Sequence, residues 1–503
     1  LLYSKPDLRT TICNSLKMLV ESNLLYSQGA LAEDIILHEQ FPVEEAKKNL
    51  EYLTTKSSNL LAVFFNVYTQ TSPGSRGFIL ETIESYLKIT TAEDIEKTFN
   101  NVCTLLKNSM EEDASNNKSN KNGAVPQLTS TLLDIVITMV NYLPPSSYFA
   151  LFSIFDTTIK SPNNLIQKRS YRIISKLSEL PTGSEAVATH ICAIENTIIG
   201  NSHTVQAASR ASRLEAINTV VNLLPSDHLN FIVKVVSEVI LATKDVNEKT
   251  RDIAFATLIA MGHKMQKESG VGVIKMDEES NEVQPANISE FFKIVSVGLI
   301  GESQHMVSST ITAYSCLMFE FKDMLPSDII MDIYDTVELY LTSNSREIAK
   351  SAIGFAKVCV LGLPEGMMRD KVPELLPKLL RWSNEHTGHF KQKVKHIIER
   401  LIRRFGYDFI DQHFPEDDRK LLTNIRKTNN RMKRREGGTK ENSIPLADTG
   451  RNFLSAYEEA IYDSDGELKE KEDDGDEQST KKSAKQYIIE KSGDNPLDLL
   501  DSE

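Results

Sequence analysis

From Leu8 to Phe405, apolar side chains return at spacings of three and four, the period of an amphipathic α-helix, while strand-like alternation is scarce. The periodic stretches repeatedly close on Leu-Pro or a polar cluster, as in VPQLTSTLLDIVITMVNYLPP, SRLEAINTVVNLLP, MVSSTITAYSCLMFEFKDMLP and AIGFAKVCVLGLP. Proline lacks the N–H that a helix interior uses and pushes the preceding residue toward extended backbone, so each Leu-Pro predicts a helix end. The pattern therefore predicts an all-α protein.

A longer period overlies the helical one. When the second helix of each pair is aligned on a polar or small residue, apolar or small residues recur at +3, +7 and +10. The series is Ser170, Ile173, Leu177, Leu180; Arg213, Ala216, Val220, Leu223; Arg251, Ala254, Leu258, Met261; Ser308, Ile311, Ser315, Met318; Arg346, Ala349, Ile353, Ala356; and Lys395, Ile398, Ile402, Phe405. Its steps are 43, 38, 57, 38 and 49 residues, close to the roughly 40 to 47 of HEAT or armadillo units. Asp245, five residues before Thr250, matches the position from which a HEAT Asp bonds with a neighbouring repeat. The Arg positions of the register are assigned to packing between repeats.

The expected fold is an all-α, HEAT/armadillo-type helical-repeat solenoid with a basic helical C-terminal cap and a disordered acidic tail. HEAT-like helices are expected over 1–107, a mobile loop over 108–124, further repeats over 125–405, the basic cap over 406–435 and the tail over 436–503. The long step places an insertion near 266–288, polar and glycine-containing from Gln266 to Pro285, as a loop on one face of a solenoid.

Composition narrows the function. With 503 residues and 40% hydrophobic content, the chain can bury a large core. No apolar run approaches the roughly twenty residues of a membrane span, and no signal-peptide pattern opens it. Cys13, Cys103, Cys192, Cys316 and Cys359 are scattered through apolar helical patterns, as reduced core thiols are. His386, His389 and His396 cluster, but no Cys or suitably spaced carboxylate joins them, so no metal site is expected. Gly270 and Gly272 form a GxG without a third glycine, and neither a phosphate loop nor a GxSxG elbow is present. The expectation is a non-enzyme without cofactor.

Charge is polarised along the chain. The net charge is -13 overall, yet Arg381 to Arg435 holds 15 Lys or Arg against 7 Asp or Glu, while 436–503 holds 19 acidic and 8 basic residues. An acidic solenoid is thus followed by a basic cap and an acidic tail. Where this basic stretch begins, at the end of the repeats, Phe390, Val394, Ile397, Ile398, Leu401, Ile402 and Phe405 define one apolar stripe. Lys393, Arg400, Arg403 and Arg404 fall away from that stripe, with Lys391 and Lys395 near its edges. A second helix is expected from Pro415, with Glu416, Asp417 and Asp418 at its positive start. Along it lie Arg419, Lys420, Arg426, Lys427, Arg431, Lys433, Arg434 and Arg435. Two successive basic helices without acidic partners favour phosphate contact over a merely solvated face. Arg419 and Lys420, then twelve residues, then Lys433, Arg434 and Arg435, also fit a bipartite nuclear-import address.

The run HFKQKVKHIIERLIRRFGYDFI, followed by FPEDDRKLLTNIRK, closely resembles the C-terminal part of the ribosomal RNA-processing protein 12 family; the acidic tail and closing NPLDLLD are also similar. The resemblance implies a HEAT-type solenoid that contacts pre-ribosomal RNA, travels with pre-ribosomal particles and other assembly factors, and assists nuclear export through nucleoporins and Ran. It implies residence in the nucleus and nucleolus with shuttling to the cytoplasm. Family members are longer than this chain, which starts at Leu1, so the N-terminal repeats are expected to be missing.

Two competing classes are a karyopherin-like transport receptor holding nucleoporins, Ran or basic cargo, and a HEAT scaffold for a kinase or phosphatase. Within the tail, Ser464 sits in YDSDGE as an acidic-directed phosphorylation candidate. Phe453, Leu454 and Tyr457, and Tyr487, Ile488, Ile489, Leu497, Leu499 and Leu500, form apolar patches suited to a partner's groove.

Overall fold

The computed structural model describes residues 2, 5–29, 41–116, 127–275, 283–385 and 389–436. Ser464 and the apolar patches of the tail lie outside these residues. The opening helices are α1 (Arg9–Ser27), α2 (Val43–Gln70), α3 (Gly77–Leu87), α4 (Ala92–Asn116), α5 (Gln127–Met139), α6 (Tyr148–Thr158) and α7 (Asn164–Leu177). The middle holds α8 (Pro181–Thr189), α9 (Ile191–Gly200), α10 (Arg210–Leu223), α11 (Asn230–Ala242) and α12 (Glu248–Lys267). After a two-stranded hairpin come α13 (Ile288–Ser296), α14 (Gln304–Phe321), α15 (Ser327–Glu338), α16 (Arg346–Gly362), α17 (Glu365–Arg369) and α18 (Val372–Glu385). The last are α19 (His389–Phe405), α20 (Tyr407–His413) and α21 (Arg419–Glu436).

This is an all-α repeat solenoid. Helices α1, α3, α5, α7, α10, α12, α14, α16 and α19 form one row, each packed on the next, and α2, α4, α6, α9, α11, α13, α15 and α18 pair with members of that row. All six second helices of the sequence register belong to the row. Their +3 and +7 side chains fill it: Ile173, Leu177, Ala216, Val220, Ala254, Leu258, Ile311, Ser315, Ala349, Ile353 and Ile398 are buried, and Ile402 is half-buried. Helix α14 is enclosed on every side, with Val307 to Met318 buried without a break.

The Leu-Pro pairs turn the chain between repeats. Leu143, Leu180, Leu224 and Leu363 adopt extended backbone, with ψ of 140°, 145°, 133° and 153°, before their prolines. Of these, Leu143, Leu224 and Leu363 drop into the core, as does Leu325 ahead of Pro326. Helix starts are fixed by side chains that accept from orphan N–H groups: Asn163, Asn247, Asn287 and Ser303 cap α7, α12, α13 and α14.

The unit ending in α12 has no Leu-Pro, and the insertion follows it. Gly270, at φ +83°, lets the chain leave the helix, and Gly272 passes so close to Leu229 that an added Cβ would lie 2.5 Å from Leu229 Cδ1. The GxG is thus a turn and a close approach. Where a loop was expected, β1 (Val273–Lys275) pairs antiparallel with β2 (Val283–Pro285), and Ile274 is buried. Within the expected loop over 108–124, α4 continues to Asn116, with Ser109 buried and its hydroxyl 2.6 Å from that of Thr129 on α5, while 117–124 lie outside the described residues. Cys192 is exposed and Cys103 half-buried, whereas Cys13, Cys316 and Cys359 are core residues whose thiols burial pushes up.

Polar clamps tie the repeats together, each reaching across three consecutive helix pairs. Asp134 of α5 accepts from Arg169 of α7 at 2.6 and 2.8 Å, from Arg76, just before α3, at 3.3 Å, and from Tyr68 of α2 at 3.1 Å. Arg76 stacks over the Tyr68 ring at 4.3 Å. Arg213 of α10, fully buried, donates to both Glu238 oxygens on α11 at 2.6 and 2.9 Å, to the Tyr171 hydroxyl on α7 at 2.8 Å and to the Ile198 carbonyl on α9 at 2.9 Å. Lys244, after α11, donates to Ser308 on α14 and to Ser351 and Glu347 on α16, the last two at 3.0 and 3.4 Å. Burial holds its ammonium below the usual lysine range, opposed by Glu347. Arg210 adds an ion pair to Asp245 of the next repeat at 2.9 Å, as expected for that Asp, while Arg251 turns back onto the Asp245 and Val246 carbonyls. Among the described residues no helix is long and apolar enough to cross a membrane.

Candidate nucleic-acid interface

The basic cap is mounted on the row through α19. Val394, Ile397, Ile398 and Leu401 are buried against the preceding repeats, and α19 packs on both α16 and α18. That face is the stripe read from the sequence. Arg400 and Arg403 are exposed on the opposite side, Lys393 and Lys395 are half-buried, and Lys391 lies in the first turn of α19.

Arg404 departs from the expectation. Its guanidinium is half-buried and donates to the Val360 and Leu363 carbonyls at the end of α16, where backbone C=O groups have no intrahelical partner. It therefore acts as a docking residue between the last two repeats, and its helical position alone did not show which way the long side chain turns. Arg404→Ala should weaken the cap by about 1 to 3 kcal/mol, the range of charge-assisted hydrogen bonds. Arg403→Ala should change stability by less than about 0.5 kcal/mol. Amide hydrogen exchange across 394–401 reads both; equal protection in the two variants would count against the docking role.

Gly406, at φ 87°, ends α19 and turns the chain directly into α20, an element the sequence pattern did not separate from its neighbours. Ile410 and Phe414 seat α20 in the core, leaving Tyr407 and Phe409 half-buried between the basic helices. Pro415 caps a separate 3-10 turn, Glu416–Asp418, and α21 begins only at Arg419, four residues after the expected start, with no acidic residue in its own first turn. Leu422 and Ile425 are buried while Arg419, Lys420, Arg426 and Lys427 are exposed. Arg431, Lys433, Arg434 and Arg435 occupy the last turns of the same helix.

The exposed set therefore comprises Arg400, Arg403, Arg419, Lys420, Arg426 and Lys427. Among the described residues none of the six forms an ion pair with a carboxylate, although the nearby His396 lies 3.7 Å from Glu399. Unneutralised guanidinium and ammonium groups on two helices suit a polyanion read by its backbone charge. His386 lies outside the described residues, and no group of three metal-ligating side chains gathers among those described.

Sequence reasoning missed the aromatic component. The Arg426 guanidinium stacks over the Tyr407 ring at 4.6 Å and Arg369 over Phe409 at 4.6 Å, with His413 4.7 Å from Phe409. The available signal was the interleaving of aromatics with basic runs in RRFGYDFI.

The family model described as Ribosomal RNA-processing protein 12, HEAT repeats, matches residues 1–71. Ribosomal RNA-processing protein 12 of Saccharomyces cerevisiae is 61% identical over 516 residues, covering 100% of this chain and 41% of that protein. The putative ribosomal RNA-processing protein 12 of Schizosaccharomyces pombe is 32% identical over 510 residues, covering 100% of this chain and 43% of that protein. The chain thus spans less than half the length of these relatives. Among solved structures, Kap121p bound to Pho4p is similar with a TM-score of 0.39 and 14% identity, over 82% of this chain and 38% of that one.

Proposed function

The chain belongs to the ribosomal RNA-processing protein 12 family, and from that premise we propose that it is a non-enzymatic scaffold of ribosome biogenesis whose basic cap holds pre-ribosomal RNA. In this reading the solenoid carries pre-ribosomal particles and other assembly factors, supports processing of the RNA, and accompanies subunits from the nucleolus and nucleus toward export, where nucleoporins and Ran are further partners. The observation that carries it is the set of six exposed cations on α19 and α21, none of them paired with a carboxylate among the described residues, in a chain with a net charge of -13. Charge of this kind binds phosphate without reading base sequence.

Replacing Arg400, Arg403, Arg419, Lys420, Arg426 and Lys427 by Gln should weaken RNA binding by about 100-fold at moderate salt. It should also flatten the log–log salt dependence by about four, since each phosphate contact releases counterions. All six are exposed, so the fold should be unchanged. Equal affinity and slope in the substituted chain would remove the cap from the RNA reading. Nucleotide-dependent capture of Ran, with no RNA binding by the parent chain, would favour a transport receptor instead.

A further inference from the structure

Building on that RNA reading, we propose that the cap contains a stacking site for unpaired nucleotides, formed by Tyr407 and Arg426. Three features point to it. The Arg426 guanidinium carbon lies over the Tyr407 ring, 4.6 Å from its centroid, yet Arg426 is exposed and among the described residues no carboxylate pairs with it. The phenol ring covers one side of the guanidinium, and the exposure of Arg426 leaves room for a second flat partner. The Tyr407 hydroxyl makes no hydrogen bond within the described residues, although Tyr407 is half-buried at the join of α19 and α20.

The surroundings supply what a nucleotide needs. Arg419, Lys420 and Lys427 lie on the same helix as Arg426, and Arg400 and Arg403 lie on the helix that leads into Tyr407. A base stacked on the guanidinium would carry its phosphates toward these cations. Every base presents a π-face, so such a site tolerates sequence, but a paired base inside a duplex cannot enter it. The site therefore discriminates single-stranded segments, loops and bulges from uninterrupted helix, which the cationic surface alone does not do.

Arg426 over Tyr407 has a half-buried anchor and an exposed outer layer. Gly406 fixes the geometry: its φ of 87° places Tyr407 at the first position of α20, and Ile410 locks that helix into the core. The phenol is thus held in place by the backbone, so little side-chain freedom is lost on binding.

The test uses the full chain and fluorescent RNAs of equal length, one single-stranded and one an uninterrupted duplex, titrated by anisotropy at several salt concentrations. Arg426→Lys keeps the charge and removes the plane; Tyr407→Leu keeps an apolar anchor and removes the ring. Each should weaken single-strand binding by about tenfold, the lower end for one stacked base, with less than twofold change on duplex and an unaltered salt slope. The double variant should lose no more than the worse single one, because the two groups act as a unit. Circular dichroism and melting separate misfolding of Tyr407→Leu from loss of the site, and exposed Arg426→Lys stands as the independent probe. Equal losses on both RNAs, no loss on the single strand, or displacement of single-stranded RNA by polyglutamate of matched charge as readily as by unlabelled RNA would each overturn the stacking site. If the parent chain binds neither RNA, the RNA reading itself fails.

Discussion

Replacing Arg213 by Ala should destabilise the array by about 3 kcal/mol or more, the lower part of the roughly 3 to 5 kcal/mol range for removing one member of a buried ion pair. The deletion leaves Glu238 without its bidentate partner and strands the Tyr171 hydroxyl and the Ile198 carbonyl. Glu238 keeps 32% of its side chain in contact with solvent, which places the loss at the lower end. Arg213→Lys keeps the charge but cannot reproduce the planar fork, so it should fall between parent and Ala. Urea denaturation gives the total. Hydrogen exchange should show α7, α9, α10 and α11 losing protection together, because the four donated bonds reach all of them. Loss confined to α10, or a change below about 1 kcal/mol, would mean that Arg213 does not tie the repeats.

Asp134→Ala should have the larger effect, about 4 to 5 kcal/mol. One carboxylate there faces two guanidinium groups, and the side chains of Arg76 and Arg169 are only 7% and 17% exposed. Without Asp134 the two cations are left against each other at the junction of three repeats. Asp134→Asn retains the shape and an acceptor oxygen and should cost less, although the charge that balances the guanidinium pair is gone. A double variant, Asp134→Ala with Arg169→Met, should recover part of the loss, since it removes one of the stranded charges. Thermal melting of the three variants checks the order; equal stability of Asp134→Ala and parent would show that water compensates the pair.

The same residues show what a sequence can and cannot disclose. The second-helix row was legible because its apolar positions repeat, and the Leu-Pro pairs announced the turns between repeats. The stripe on α19 was legible for the same reason. Arg404 was not, since a long side chain on a helix edge can reach solvent or a neighbouring helix end, and only the position of the Val360 and Leu363 carbonyls decides. The Tyr407 stack joins residues on different helices, so the interleaved aromatics of RRFGYDFI signal a ring near the cations without giving its partner. The hairpin escaped because three-residue strands are too short to display alternation.

Nearest-neighbour contacts alone would let such an array be cut and rejoined at any turn. The clamps forbid this. Asp134 closes over the pairs from α2 to α7, Arg213 over those from α6 to α11, and Lys244 over those from α11 to α16. Adjacent clamps share a pair, so each pair from α2/α3 to α15/α16 is spoken for by its neighbours' side chains as well as its own. A recombination event that lifts one helix pair out of this chain would carry away half of a clamp and leave the other half buried without its counterpart. Because neighbouring clamps overlap, every cut between α2/α3 and α15/α16 divides at least one of them, so the segment that can be inherited or transplanted intact is the whole run of seven pairs.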